Sequence, residues 1–358
     1  MPKYLIHVGP HKTGTTYLQL KFDAARKRLL RQNVAYPTEW SSAESEPSHR
    51  KLVVGLREEH VDQLRSQFDS VEQNNPEYVL ISAEGINNLE SSSLELLNML
   101  LGNNPVTIIF YCRRWSELLP SLWQEKIKHG YDETFPEFFS INFSDPFESL
   151  TMNFAKRLKV YIEIFGRENV KLVSYNNLCD DNIDLAGHFF DMFLPRHRPL
   201  IDDLPELAAA RPNQSLPSLD VEVIRALNSF NIRGGIPPPS SALRGWYMAN
   251  ARRFDLAELF SAIEQNKEAL RFSDASPGAQ RLQEMLSTAY VDLMVPPARS
   301  HHLFAPRLAE IVFFKQRYLT DRRCRHTLDE VYTAFCEESE SAARRQVGPA
   351  AAPSTVSR

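Results

Sequence analysis

Cysteine is scarce in this 358-residue chain. Its four copies, Cys112, Cys179, Cys324 and Cys336, form no C-x-x-C pair. That argues against a zinc site or a disulfide framework and for free thiols in a reducing compartment. Long apolar runs are missing too. A spanning helix needs about 18 apolar residues. The nearest stretch, from Leu185 to Leu194, is short and interrupted by His188 and Asp191. The first apolar run starts at Tyr4, which leaves no room for a signal peptide before a structural strand. A cytoplasmic protein is expected. Charge of one sign does not dominate: 41 basic residues meet 45 acidic ones, for a net charge of −4. That near-balance speaks against a general nucleic-acid binder, yet it permits a local basic pocket for one small anion. No internal repeat is present. What remains is 43% hydrophobic and 24% charged, the make-up of a globular protein with a sizeable core. The length suits one large α/β domain, alone or with a smaller one.

Hydrophobic period organises the first two-thirds of the chain. Tyr4–Val8, Tyr78–Ile81, Val106–Cys112 and Val170–Ser174 are short apolar runs that read as buried strands. Thr15–Arg31, Val53–Val71, the segment around Leu94–Leu101, Trp115–Lys128 and Lys156–Phe165 read as helices. In the first of these, Leu18, Phe22, Ala25 and Leu29 would face the sheet. Thr38–Ser48 is polar and reads as a loop. Alternating strands and helices imply a parallel sheet flanked by helices, an α/β fold. Its right-handed crossovers would gather Gly9–Thr16, Ser82–Gly85 and the segment from Arg113 at the carboxyl ends of the strands, where ligands bind. A first α/β domain over 1–233 is expected. Residues 234–241, rich in Gly, Pro and Ser, would form a linker. Residues 242–345 would be a helical C-terminal portion without clear strands, and 346–358 a disordered tail.

Between the first strand and first helix stands Gly9-Pro10-His11-Lys12-Thr13-Gly14-Thr15-Thr16. A glycine turn lets backbone amides point at an anion, and the helix N-terminus adds positive potential. Threonine hydroxyls and the Lys12 charge would complete a phosphate cradle. The competing explanation is a plain turn in which the threonines only cap the helix. A lysine, two glycines and three threonines in eight residues favour the cradle. The loop is not a Walker A loop, because Lys12 precedes Gly14 instead of following it. That order argues against an ATPase with a standard magnesium site, and no metal is expected.

Lys12-Thr13-Gly14-Thr15-Thr16 after a first strand resembles the 5′-phosphosulfate loop of sulfotransferases that use 3′-phosphoadenosine 5′-phosphosulfate (PAPS). The resemblance spans about Pro2 to Asn228 and implies a P-loop-kinase-like fold. It implies that Lys12 contacts the bridging oxygen and the sulfuryl group. Thr13, Gly14, Thr15 and Thr16 would cradle the 5′-phosphate. Tyr17 falls where many members carry an aromatic that packs on adenine; a core aromatic on the helix is the other reading. The family binds the 3′-phosphate with an arginine at a strand end and a serine eight residues later, a spacing matched by Arg113 and Ser121. Arginine suits that task because its fork grips phosphate oxygens in a bidentate way. Arg114 is an alternative for the same role. Arg211 lies in Arg211-Pro212-Asn213-Gln214-Ser215-Leu216, which looks like a late segment of bacterial sulfotransferase-like proteins; a helix cap by Ser215 explains that segment nearly as well.

Sulfuryl transfer resembles loose phosphoryl transfer, in which positioning and charge stabilisation dominate. The acceptor hydroxyl needs a general base, and family members use a Glu or a His. Glu84, at the end of the second strand, is the first candidate. His49, in a loop before a helix, is the second, and His11, inside the phosphate loop, the third. Gln124, Lys126 and Lys128 could line an acceptor path or simply face solvent. The expected activity is sulfuryl transfer to an acceptor hydroxyl on a carbohydrate or small metabolite. An ATP-dependent P-loop kinase and a catalytically silent nucleotide-binding module are the alternatives.

Overall fold

The computed structural model describes residues 1–42, 46–202, 204, 216–297 and 303–346. In chain order the elements are β1 (Lys3–Gly9), α1 (Thr15–Leu30), β2 (Val34–Ala35), α2 (Arg50–Arg57), α3 (Val61–Gln73), β3 (Tyr78–Ser82), α4 (Ser91–Leu101), β4 (Val106–Cys112), α5 (Trp115–Lys128), α6 (Phe135–Phe143), α7 (Ala155–Phe165), β5 (Val170–Ser174), α8 (Tyr175–Asp180), α9 (Leu185–Phe193), α10 (Pro199–Asp202), α11 (Ser218–Arg233), α12 (Ala242–Asn250), α13 (Ala257–Gln265), β6 (Lys267–Ser273), α14 (Pro277–Ala289), β7 (Leu308–Phe314) and α15 (Arg322–Gln346). Residues 234–241 separate α11 from α12.

β1 to β5 form a parallel sheet in the order β2-β3-β1-β4-β5, flanked by helices: an α/β fold. β1 is central. His7 stands level with Ser82 of β3 and with Ile109 of β4, so the loops after all three strands leave from one edge. Leu5, Ile109 and Val173 on one face join Leu18, Phe22 and Leu29 of α1 and Phe189 and Phe190 of α9 in a single core. Phe22 and Phe189 have ring centroids 4.9 Å apart. Burying such a side chain is worth about 1.5–3 kcal/mol. On the opposite face Phe110 packs on Phe154 and on Tyr161 of α7. α9, the stretch that came nearest in sequence to a spanning segment, is thus a core helix. Asp184 caps it by accepting from the Gly187 amide at 2.6 Å. Among the described residues no helix is long and apolar enough to cross a membrane.

Three local expectations are corrected. The helical period of Val53–Val71 spans two helices, α2 and α3, because Glu59 takes a left-handed backbone (φ 55°) that ends the first. β2 is an edge strand of two residues, too short for any period to reveal. The C-terminal portion contains β6 and β7, which pair in a separate two-stranded sheet.

The chain forms two compact units that interleave in sequence. The first comprises Met1–Leu119, Phe139–Gln214 and Phe272–Ala309. The second comprises Pro120–Phe138, Ser215–Arg271 and Glu310–Arg358. Within the second, Asn228 of α11 donates to the carbonyls of Ile127 and Tyr131, and Arg225 donates to that of Asp132. Those bonds tie the 127–132 turn to a helix about a hundred residues later in the chain. Positions 347–358, where the tail was expected, lie outside the described residues.

Candidate functional site

The loop from Gly9 to Gly14 turns back on itself through three left-handed residues, Gly9 (φ 87°), Lys12 (φ 70°) and Gly14 (φ 80°). For lysine that conformation costs about 1–2 kcal/mol, a strain held by its surroundings. Gly14 is required twice over. Its φ disfavours a side chain, and a Cβ there would sit 2.4 Å from Leu185 Cδ2. The Thr13 hydroxyl donates to the Pro10 carbonyl at 2.7 Å and staples the turn. That side chain is buried, so its contribution to a cradle would be through the backbone.

Gly14 is the N-cap of α1, so the cap position itself offers no side chain to the first amides of the helix. No acidic residue stands in the first turn of α1 to compete with an anion. Thr15 is buried and Thr16 half-buried at the start of the helix. Tyr17 is half-buried. It packs on the core and donates its hydroxyl to Asp184 Oδ1 at 2.5 Å.

Arg113, just past β4, reaches the loop: its Nη1 donates to the Lys12 carbonyl at 2.5 Å. The guanidinium lies over the Tyr175 ring, 5.3 Å from its centroid, and its Nε is buried without a hydrogen-bond partner. Arg114 points elsewhere and is fully buried. Its Nε donates to the Ala305 carbonyl at 2.7 Å, its Nη1 to Glu117 at 2.8 Å and its Nη2 to Asp180 at 2.6 Å. With its fork spent on protein acceptors, Arg114 is a structural residue and not the alternative phosphate ligand.

Glu84 opens a short 3₁₀ turn directly beyond β3. Its carboxylate pairs with His11 Nδ1 of the β1–α1 loop; the two side chains are 23% and 42% exposed. Burial acts against the Glu84 charge. The hydrogen bond and charge of His11, with the charge of His7, outweigh it and hold the carboxyl below its ordinary value. The structure thus joins two of the three proposed bases into one pair.

His49 is the exception. It is fully buried. Its Nδ1 accepts from the Ser82 amide at 3.2 Å, and its Nε2 donates to the Pro37 carbonyl at 2.9 Å. Burial pushes it down to about 3, with the Pro37 hydrogen bond only partly opposing. Neither ring nitrogen is placed to take a substrate proton, so His49 stitches its loop to β3 and leaves the list of bases.

Ser121, Gln124, Lys126 and Lys128 lie on the part of α5 that belongs to the second unit. Lys126 pairs with Glu133 and sits 4.7 Å from the Tyr131 ring centroid. Lys128 is 3.6 Å from Glu125. These contacts account for both lysines without an acceptor path. Arg211 lies outside the described residues. Among the described residues, no group of three His, Cys, Asp or Glu is placed to hold a metal ion.

Two residues at the site escaped the sequence reading. His7, on β1, is fully buried behind the loop with Nδ1 2.9 Å from Ser82 Oγ, and burial lowers it to about 4. A histidine in an otherwise apolar strand was its only signal. Glu117 joins both arginines, at 2.8 Å from Arg114 and 3.4 Å from Arg113. The four-residue spacing of Arg113 and Glu117 at the start of α5 was a readable sign.

No protein-family model matches this chain, and no curated protein matches it either. Among solved structures it is similar to the "Crystal Structure of Sulfotransferase from Alicyclobacillus acidocaldarius", at 16% identity over 68% of this chain and 99% of that one, with a TM-score of 0.36. A likeness that distant carries no functional argument, and any activity must be argued from the residues described above.

Proposed function

We propose that this chain is a sulfotransferase that moves a sulfuryl group from PAPS to an acceptor hydroxyl on a carbohydrate or small metabolite. The observation that carries the reading is the convergence of donors at the end of β1. An α1 N-terminus whose cap residue is a glycine, a lysine in the turn before it and the buried, unpartnered Nε of Arg113 meet at one loop. Such a donor set suits phosphate or sulfate oxygens. Lys12 would offset charge developing on the leaving 5′-phosphate, and Thr15, Thr16 and the amides from Thr13 to Thr16 would hold that phosphate. Arg113 would take the 3′-phosphate, and Tyr17 would border the adenine. The acceptor proton would pass to the Glu84–His11 pair.

The kinase alternative lacks support from the loop itself, where the lysine precedes the second glycine. Calorimetry separates the readings. Adenosine 3′,5′-bisphosphate is expected to bind more tightly than AMP or ATP. Equal affinity for AMP and the bisphosphate would remove the basis for the Arg113 assignment, and a preference for ATP with magnesium would favour the kinase.

A further inference from the structure

We infer that Tyr175, at the start of α8, is the positioning residue for Arg113: its ring holds the guanidinium by the face and spends none of its N–H donors. This inference rests on the sulfotransferase reading, in which Arg113 takes the 3′-phosphate. Parallel pairing brings the two side chains together. Cys112, the last residue of β4, stands level with Ser174, the last residue of β5. The next residues, Arg113 and Tyr175, therefore leave neighbouring strand ends side by side. Ser174 then caps α8 by accepting from the Asn177 amide at 3.4 Å, which fixes Tyr175 at the first helical position.

The guanidinium lies over the Tyr175 ring, 5.3 Å from its centroid, close enough for attraction to the negative face of the π system. In the guanidinium plane, Nη1 donates to the Lys12 carbonyl and Nη2 stands 3.4 Å from Glu117, while Nε is buried with no partner. Arg114 shows the contrast. Each of its three side-chain nitrogens goes to a protein acceptor. The Tyr175 ring also packs on the β1–α1 loop: a Cβ built on Gly14 would lie 3.1 Å from Tyr175 Cε2. One half-buried aromatic therefore touches both the loop and the arginine.

A free arginine side chain loses rotamer freedom when it grips an anion. One already stacked on a ring has lost part of that freedom in the unbound protein, so more of the contact shows as affinity. A cation–π contact of ordinary strength corresponds to about 3- to 30-fold in an equilibrium constant. AMP lacks the 3′-phosphate and gains nothing from the stack. Tyr175 would thus favour the doubly phosphorylated nucleotide through Arg113.

Two readouts in the full chain test this. The first needs no nucleotide. The Arg113 Nε–H resonance, assigned by its loss in Arg113→Ala, should carry the ring-current shift of a proton near an aromatic face. That shift should vanish in Tyr175→Leu and persist in Tyr175→Phe. The second is calorimetry with adenosine 3′,5′-bisphosphate and AMP. Tyr175→Leu should weaken the bisphosphate about 3- to 30-fold, and Tyr175→Phe should match the wild type. AMP affinity in Tyr175→Leu, and the further loss of bisphosphate affinity when Tyr175→Leu is added to Arg113→Ala, should each stay within about twofold. A resonance that ignores Tyr175→Leu, equal losses for both nucleotides, or an undiminished loss beside Arg113→Ala would overturn the inference. The last outcome would make Tyr175 a brace of the loop or a direct contact of the nucleotide. Should Tyr175→Leu fail to fold, a ring-trifluorinated phenylalanine at position 175 keeps the shape and weakens the negative face. Bisphosphate affinity should then fall while AMP affinity holds, and an unchanged bisphosphate affinity would count against the stack. If the wild type does not bind the bisphosphate at all, the parent reading fails, and the Arg113 resonance alone still decides whether the ring holds the arginine.

Discussion

Arg113 donates from Nη1 to the main-chain carbonyl of Lys12 at 2.5 Å, which ties the end of β4 to the loop that follows β1. The same guanidinium keeps its Nε buried and unpartnered. One side chain therefore ties the β1–α1 loop in place, and under the proposed function its remaining donor would face an anion. Arg113→Ala should weaken adenosine 3′,5′-bisphosphate binding about 10- to 100-fold, the worth of a charge-assisted hydrogen bond. Binding of AMP should fall much less. Calorimetry with both nucleotides checks this, and equal losses would mean that the arginine only shapes the loop.

Arg114, its neighbour in sequence, should behave in the opposite way. Its removal leaves Asp180 and Glu117 without their buried partner and opens a cavity. Arg307 also reaches both carboxylates, so the cost should sit near the lower end for a broken buried pair, about 3 kcal/mol. Urea unfolding of Arg114→Ala measures it. A loss under about 1 kcal/mol, the usual worth of an exposed pair, would show that the network is dispensable.

Lys12→Ala should leave the melting temperature nearly unchanged, because the side chain is not part of the core. PAPS turnover should drop by about 10²–10³, the usual cost of losing one charge-stabilising donor. Turnover in the wild type should survive excess EDTA. Activity that disappears with EDTA would revive the kinase alternative.

Gly14→Ala tests the loop backbone directly. The new Cβ would collide with Leu185 Cδ2 and stand 3.1 Å from the Tyr175 ring, at a φ of 80°. The left-handed conformation alone should cost about 1–2 kcal/mol, and bisphosphate binding should weaken with it. A variant of wild-type stability and affinity would mean that the turn is not held as described.

Acid should destabilise the fold through His49 and His7. Both are neutral in the folded protein, lowered to about 3 and about 4 by burial. In the unfolded chain each titrates near the ordinary value of about 6.5. Below that pH the unfolded state binds protons that the folded state refuses. Stability is therefore complete above about pH 6.5 and falls as pH drops, until the folded values are reached. Each histidine contributes at most about 1.4 kcal/mol per pH unit in that window. Denaturant titrations between pH 7 and pH 5 should show the slope, and His49→Gln should remove roughly one histidine's share of it. An unchanged slope would indicate that His49 is not buried in neutral form.

Local chemistry made much of the β1–α1 segment readable. Tyr4–Val8 could be recognised as a strand because its apolar residues run without interruption, and Leu18, Phe22, Ala25 and Leu29 revealed the buried face of α1 through helical period. The turn between them declared itself through glycines and a lysine within a few residues. By contrast, Val53–Val71 misled. A helical period continues across the break at Glu59, since periodicity registers which side chains are apolar and not where the backbone changes sign.

The sequence by itself determined the alternating strands and helices and the donors between β1 and α1, because period, glycine turns and side-chain charge are properties of neighbouring residues. Only the tertiary structure decided which polar groups meet. His11 and Glu84 are 73 positions apart, and the β1–β3 register brings them together. Arg113 and Arg114 look alike in sequence, yet one turns to the loop and the other is consumed by Ala305, Glu117 and Asp180. His49 sits in a polar stretch that reads as solvated, and the Ser82 amide and Pro37 carbonyl make it a buried brace. Burial and pairing depend on distant segments closing around a residue, and one-dimensional patterns do not record that.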